Sequence, residues 1–270
     1  MNQGNGKFHY RTEFGQFGGD TNLVVGDFNG DGKLDVATVD PAQGSFQVFL
    51  GKGDGTFKRI QSDDRLIAGA SVITTADFNN DGILDIMIVT GAGPTAILLG
   101  NPDGTFQTPT NVTTIAAGCG SGATFAVDDF NRDGNTDLAF CAIATNGAGR
   151  MYVMLGNGDG TFKHPVYYPT GTVNGNPFRF TEGDFNSDGK TDFLVSSSPG
   201  FNQFQCTVLF GKGDGSFQGY RTVKLPVGSW GEVGITAGDF NSDGLLDFEF
   251  GTPGGGAGVY LQKLSLSPTK

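Results

Sequence analysis

The sequence predicts an all-β fold, a five-bladed β-propeller of four-stranded antiparallel blades. Three observations lead there. A nine-residue aspartate motif occurs five times at a near-constant period, a Gly-x-x-Asp-Gly motif keeps phase with it, and short apolar runs of strand length lie between. A period of roughly 20–50 residues marks solenoids and propellers, in which each repeat buries its faces against its neighbours.

The first motif reads D-F-N-x-D-G-x-x-D. It runs from Asp27 to Asp35, Asp77 to Asp85, Asp129 to Asp137, Asp184 to Asp192 and Asp239 to Asp247, with starts spaced by 50, 52, 55 and 55 residues. The second is Gly51-Lys52-Gly53-Asp54-Gly55-Thr56-Phe57, which returns at Gly100 to Phe106, Gly156 to Phe162 and Gly211 to Phe217. Its Asp-Gly pair is a hairpin signal, because glycine takes the positive φ such turns need.

With these turns placed, one repeat yields four strands. Strand A runs from Asn22 to Gly26, B from Leu34 to Val39 and C from Phe46 to Leu50, while D begins at Phe57. A, B and C are mostly apolar, as in sheets covered on both faces. D is more polar, as expected for an outer edge. The blades are expected at about 20–62, 70–115, 122–170, 176–223 and 232–264, in a single domain 1–270. The fifth repeat supplies A (Gly234 to Ala237), B (Leu246 to Phe250) and C (Val259 to Gln262). Its outer strand is expected from the N-terminal segment 6–13, which follows the tail of a second motif at Gly4-Asn5-Gly6-Lys7-Phe8 and would close the ring.

Composition supports a folded chain. The 46 glycines and 11 prolines have no G-X-Y period, and 24 phenylalanines with many Val, Ile and Leu runs supply a core. A net charge of −11 argues against nucleic acid or anionic lipid as partner. No stretch approaches ~18 consecutive apolar residues, so no membrane span is expected. The first residues lack the charged and apolar regions of a signal peptide. Of three cysteines, Cys119 and Cys141 stand near enough in one repeat to pair, and Cys206 reads as a buried thiol.

The aspartate loops read as metal sites. A hard cation such as Ca²⁺ takes six to eight oxygens from carboxylates, amides, backbone carbonyls and water. The first, third, fifth and ninth positions offer Asp27, Asn29, Asp31 and Asp35, then Asp77, Asn79, Asp81 and Asp85. They continue as Asp129, Asn131, Asp133 and Asp137, then Asp184, Asn186, Asp188 and Asp192, then Asp239, Asn241, Asp243 and Asp247. The seventh position varies (Lys33, Ile83, Asn135, Lys190, Leu245), as a backbone-carbonyl ligand permits. Three carboxylates within a few ångströms repel by roughly a kcal/mol or more per pair at an effective dielectric near 20. Five divalent ions would nearly cancel the net charge of −11. Asp-Gly turns also form without an ion, so the spacing in all five copies carries the argument. The twelfth position holds Thr38, Ile88, Phe140, Val195 and Phe250 rather than glutamate, so the loop enters a strand and is not an EF-hand.

These residues resemble the FG-GAP or VCBS-like repeats of integrin α-subunit heads and of bacterial and fungal extracellular propellers. The resemblance spans nearly the whole chain. It implies structural Ca²⁺, up to five ions, bound in the A–B hairpins. Integrin heads have seven blades with metal in only some, so a five-blade chain departs from them and integrin-like ligand specificity is not implied.

Strand direction puts the A–B and C–D turns at one end of each blade and the variable B–C and D–A connections at the other, where a rigid scaffold usually binds. Candidate ligand residues there are Trp230, Asn174, Asn176 and Asn146. Trp230 serves equally as a packing residue between blades, and Tyr167 and Tyr168 read as strand-D packing. Catalytic motifs are absent, and His9 and His164 fall in D strands. The expected function is a non-catalytic extracellular binding or adhesion module for a glycan or protein, monomeric, working where calcium reaches roughly millimolar levels. One alternative is a carbohydrate-active lyase or glycosidase using acids outside the metal set: Asp40, Asp63, Asp64, Asp128, Glu182, Glu232 and Glu249. The other is a scaffold, fragment or engineered propeller without a ligand.

Overall fold

The computed structural model of the protein describes residues 10, 22–40, 44–63, 70–90, 95–112, 125–143, 148–170, 176–200, 203–225, 234–251 and 257–262. Among the described residues all regular structure is strand. The first sheet holds β1 (Asn22–Gly26), β2 (Asp35–Asp40), β3 (Ser45–Gly51) and β4 (Phe57–Asp63). The second holds β5 (Ala70–Ala76), β6 (Asp85–Thr90), β7 (Thr95–Leu98) and β8 (Thr110–Val112). The third holds β9 (Phe125–Asp128), β10 (Asp137–Ile143), β11 (Gly149–Met154) and β12 (Val166–Pro169). The fourth holds β13 (Asn176–Gly183), β14 (Asp192–Gly200), β15 (Gln203–Gly211) and β16 (Phe217–Leu225). The fifth has three described strands, β17 (Ile235–Gly238), β18 (Asp247–Gly251) and β19 (Ala257–Tyr260). Within every sheet successive strands pair antiparallel in chain order, the arrangement of a propeller blade. The segment 6–13, expected as the outer strand of the fifth sheet, lies outside the described residues apart from Tyr10.

The chain divides into two compact units. The unit of residues 1–115 and 159–161 contains the first two sheets. Its core sets Ala37, Val39, Phe46 and Val48 of the first sheet against Ile73, Ile86, Ile88, Ala96 and Leu98 of the second. Phe106 of the second sheet's turn meets both Phe28 and Phe46 edge-on, with ring centroids 5.4 and 5.7 Å apart.

The unit of residues 116–158 and 162–270 contains the other three sheets. Here β14 shows why the strands read as unbroken apolar runs. Phe193 and Val195 face the third sheet's Ala139, Cys141, Met151 and Val153. Leu194, one residue along, packs on the other face with Phe250 of the fifth sheet. Alternate side chains leave opposite faces, and both faces are covered. A fully buried side chain of this size contributes about 1.5–3 kcal/mol through removal of apolar area from water. Phe193, fully buried, would cost about 3–5 kcal/mol if cut to alanine.

Three differences from the expected elements have local causes. The B strands begin at the ninth-position aspartate rather than one residue earlier, because that carboxylate is tied into the hairpin. Outer strands β4 and β16 start at the motif phenylalanine, Phe57 and Phe217. In the second and third sheets only isolated bridges form there, Gly100 with Phe106 and Gly156 with Phe162, and β8 and β12 start later. Pro109 and Pro165 intervene in those two repeats, and proline cannot donate to a ladder. In the fifth sheet β19 ends at Tyr260, two residues before the expected Gln262, whose N–H turns to Asp247 instead.

Candidate metal centres

Each aspartate loop is built the same way from backbone N–H groups inward. In the first loop Asp31 N donates to both Asp27 Oδ1 and Asn29 Oδ1, each at 3.1 Å, and Gly32 N donates to Asp27 Oδ2 at 2.8 Å. Lys33 N then donates to Asp31 Oδ1 at 2.9 Å. The same bonds recur around Asp81, Asp133, Asp188 and Asp243. The sixth-position glycines lie at φ between 78° and 85°, which only glycine adopts cheaply. The fourth position is also left-handed: Gly30 at 70°, with Asn80, Arg132, Ser187 and Ser242 near 60°. Only the first loop signals this with a glycine, so the sequence reading missed it.

The ninth-position aspartates do something the spacing did not announce. Asp35 is fully buried, and its Oδ2 and Oδ1 accept from Phe28 N at 2.9 Å and Gly51 N at 2.8 Å. Asp85, Asp137, Asp192 and Asp247 bind the matching pairs of N–H groups. Each carboxylate thus joins the loop's start to the end of strand C. The first glycine of the second motif follows from this closeness. A Cβ on Gly51 would stand 2.2 Å from the Leu34 carbonyl oxygen, and one on Gly211 2.1 Å from that of Thr191. Burial pushes the Asp137 and Asp192 carboxyls up to about 6, outweighing the two N–H bonds that act the other way, and raises Asp85 likewise.

The aspartates of the second motif are committed to their own turns. Thr56 donates from N and Oγ1 to Asp54 Oδ1 at 2.9 and 2.6 Å, and Asp103, Asp159 and Asp214 do the same with Thr105, Thr161 and Ser216. Side-chain hydroxyls hold Asp103, Asp159 and Asp214 below the usual carboxylate range.

First, third and fifth positions therefore gather hard oxygens around one exposed turn, a donor set suited to Ca²⁺. Among the described residues no three acidic, histidine or cysteine side chains converge as a ready cage. The third donor in each loop is an asparagine, and the ninth aspartate is turned to backbone N–H groups.

The seventh-position residues Lys33, Ile83, Asn135, Lys190 and Leu245 each donate their backbone N–H to the fifth-position carboxylate. Of the ligand-face candidates, Trp230, Asn174 and Asn146 lie outside the described residues, and Asn176 begins β13. Among the spare acids, Asp64 and Glu232 also lie outside. Asp40 is buried at the end of β2, Asp63 accepts from Gln61 Nε2, and Glu249 lies within β18. Asp128 and Glu182 do come together, with Asp184, Lys190 and Thr191, around a cavity of about 330 Å³ beside the fourth loop. Although Glu182 is exposed as a residue, burial around its carboxyl raises it, and the Asp128 charge adds to that. Cys141 is buried with Sγ 3.5 Å from Met151 Sδ, while Cys119 lies outside the described residues. Cys206 is a buried thiol pushed up to about 12 by burial.

Three overlapping windows of the chain, 27–88, 77–140 and 129–195, match the model of the FG-GAP-like repeat. Each runs from one aspartate loop through the next. The chain belongs to the FG-GAP-like repeat family. Its fifth loop, Asp239 to Asp247, lies beyond the matched windows. No curated protein matches the chain in sequence. Among solved structures it is similar to the BP39L lectin from Burkholderia pseudomallei, at 18% identity and a TM-score of 0.60, covering 88% of this chain and 65% of the lectin. It is also similar to the Tc holotoxin pore of Photorhabdus luminescens, at 17% identity and a TM-score of 0.49, covering 88% of this chain and 11% of the toxin. The BBS1N part of a complex with ARL6DN gives 12% identity and a TM-score of 0.49, covering 89% of this chain and 68% of that one. The chain thus spans less than two thirds of the lectin's length and about a tenth of the toxin's. At 18% identity the likeness to the lectin shows the fold alone.

Proposed function

We propose that this FG-GAP-like chain is a calcium-stabilised, non-catalytic binding module working outside the cytoplasm, its five blades closed into a ring by segment 6–13. One observation carries the reading. Five loops of identical build each present Asp, Asn and Asp oxygens in a single exposed turn, and hard oxygen donors at this spacing suit Ca²⁺. The ion's work is rigidity. It links the first, third and fifth positions of a hairpin whose ninth position already anchors the neighbouring strands, and so steadies the connections at the far end of the blade. At roughly millimolar calcium, sites of about 10⁻⁴–10⁻³ M are occupied. The ligand is taken to be a glycan or a protein, bound by a single copy of the chain, and the fold likeness to a lectin supports the first.

The carbohydrate-active alternative is favoured by the cavity beside the fourth loop, which both Asp128 and Glu182 line. Paired carboxylates are the working parts of glycoside hydrolysis. An array of glycans and glycoproteins probed in calcium, with a chelator control, tests the first reading. Selective, calcium-dependent retention supports it. Loss of a glycan from the array with time, abolished by Glu182→Gln, would replace it with the enzyme.

A further inference from the structure

The five loops share one build but not one occupant of the fifth-position carboxylate. In the first loop Lys33 takes both oxygens of Asp31, Oδ1 through its backbone N–H at 2.9 Å and Oδ2 through Nζ at 2.8 Å. In the fourth loop Lys190 takes both oxygens of Asp188 in the same way, at 3.0 and 3.1 Å. In the second, third and fifth loops the seventh residue is Ile83, Asn135 or Leu245, and among the described residues no ammonium is bonded to the fifth-position carboxylate, although the Lys163 charge acts on Asp133. There the Oδ2 of Asp81, Asp133 or Asp243 accepts from the third-position asparagine amide at 2.9 to 3.0 Å, a bond that Asn29 and Asn186 also give to Asp31 and Asp188 beside the lysine.

The two lysines are aimed by their repeats. Each stem lies along the turn of the second motif, close enough that a Cβ on Gly53 would stand 3.1 Å from Lys33 Cδ, and one on Gly213 3.1 Å from Lys190 Cδ. The second repeat has Pro102 at the place of Gly53.

We propose that Lys33 and Lys190 are built-in competitors of the metal, which divide the five loops into three that load first and two that load last. This rests on the calcium reading above. To enter the first or fourth loop a divalent ion must displace an ammonium from a carboxylate it needs, and then bear that positive charge nearby. In the other three loops it displaces only the neutral amide, whose own oxygen is a donor for the ion. Both ion pairs are partly exposed, with side-chain exposures of 41% and 35% in the first and 34% each in the second. Such pairs are weak, so the loops are weakened rather than closed, by roughly three- to tenfold in Kd. The consequence is a graded response. Falling calcium would release the first and fourth hairpins while the other three stay pinned.

Calorimetric calcium titration of the full chain, starting metal-free, tests this against a Lys33→Met/Lys190→Met variant, whose unbranched side chains keep the stem and lose the charge. The expected result is three tighter and two weaker sites in the parent, and a weak class that tightens toward the other three in the variant. Asp31→Asn should delete a weak site and Asp81→Asn a tight one. A single class of sites in the parent, or an unchanged weak class in the variant, overturns the division but leaves calcium binding standing. No calcium uptake by either protein overturns both.

Discussion

At the residue scale the five buried aspartates, Asp35, Asp85, Asp137, Asp192 and Asp247, decide whether a repeat holds together, because each joins two backbone segments with two N–H bonds. Asparagine in place of Asp85 would keep one acceptor and set an amide N–H₂ against a backbone N–H. The expected cost is about 1–3 kcal/mol from the unmet buried donor, seen as a lower denaturation midpoint even with chelator present. Asp81→Asn, on the exposed turn, should leave the chelated protein's midpoint nearly unchanged and act only when calcium is present. Equal effects of the two changes in chelator would contradict the division of labour. The spacing of acids was legible in the sequence; their two roles were not. Motif position says which oxygens lie near one another, but whether an oxygen faces an ion or a neighbouring N–H depends on the end of strand C, fifteen to nineteen residues away.

At the scale of the element, the blade hairpins were legible wherever a turn residue announced them. Strand β1 has the expected ends, β2 and β17 shift by a residue, and β3 is longer by one residue at each end. The delayed start of β8 and β12 was written in Pro109 and Pro165, but a strand assigned from the first repeat alone overlooks prolines that the first repeat lacks. The cavity at Asp128 and Glu182 was legible only in part. Asp128 stands where the other repeats have Gly26, Ala76, Gly183 and Gly238, a departure visible in the sequence, whereas its meeting with Glu182 needs two strands brought side by side. The glycine that ends strand C gives an element-scale prediction. Gly211→Ala would drive a Cβ to within 2.1 Å of the Thr191 carbonyl oxygen, which rigid backbone cannot absorb. Overpacking of this kind costs about 1–3 kcal/mol or more. Chemical denaturation should show that loss, and an alanine tolerated without it would mean the strand end is looser than described.

For the whole molecule, the repeat told most. Five copies of one motif fixed the expectation of blades, and the FG-GAP-like family match and the antiparallel four-stranded sheets agree with it. What the repeat could not convey is whether the terminal strands meet, since that depends on segment 6–13 and not on any motif. Nor does it name a ligand, because the far-end connections differ from repeat to repeat and carry no shared pattern. The repeat does predict how stability should depend on the metal. An ion bound only by the folded chain at about ten times its Kd adds about 1.4 kcal/mol per site, and a loop three- to tenfold weaker adds about 0.4–0.9 kcal/mol, so three tight and two weak loops add about 5–6 kcal/mol.

The most direct check is a pair of thermal melts of the full chain, one in millimolar calcium and one in excess chelator at the same ionic strength. A midpoint lower by roughly 10 °C or more in chelator is the predicted result. Superimposable melts would mean that the aspartate turns stand on their backbone hydrogen bonds alone.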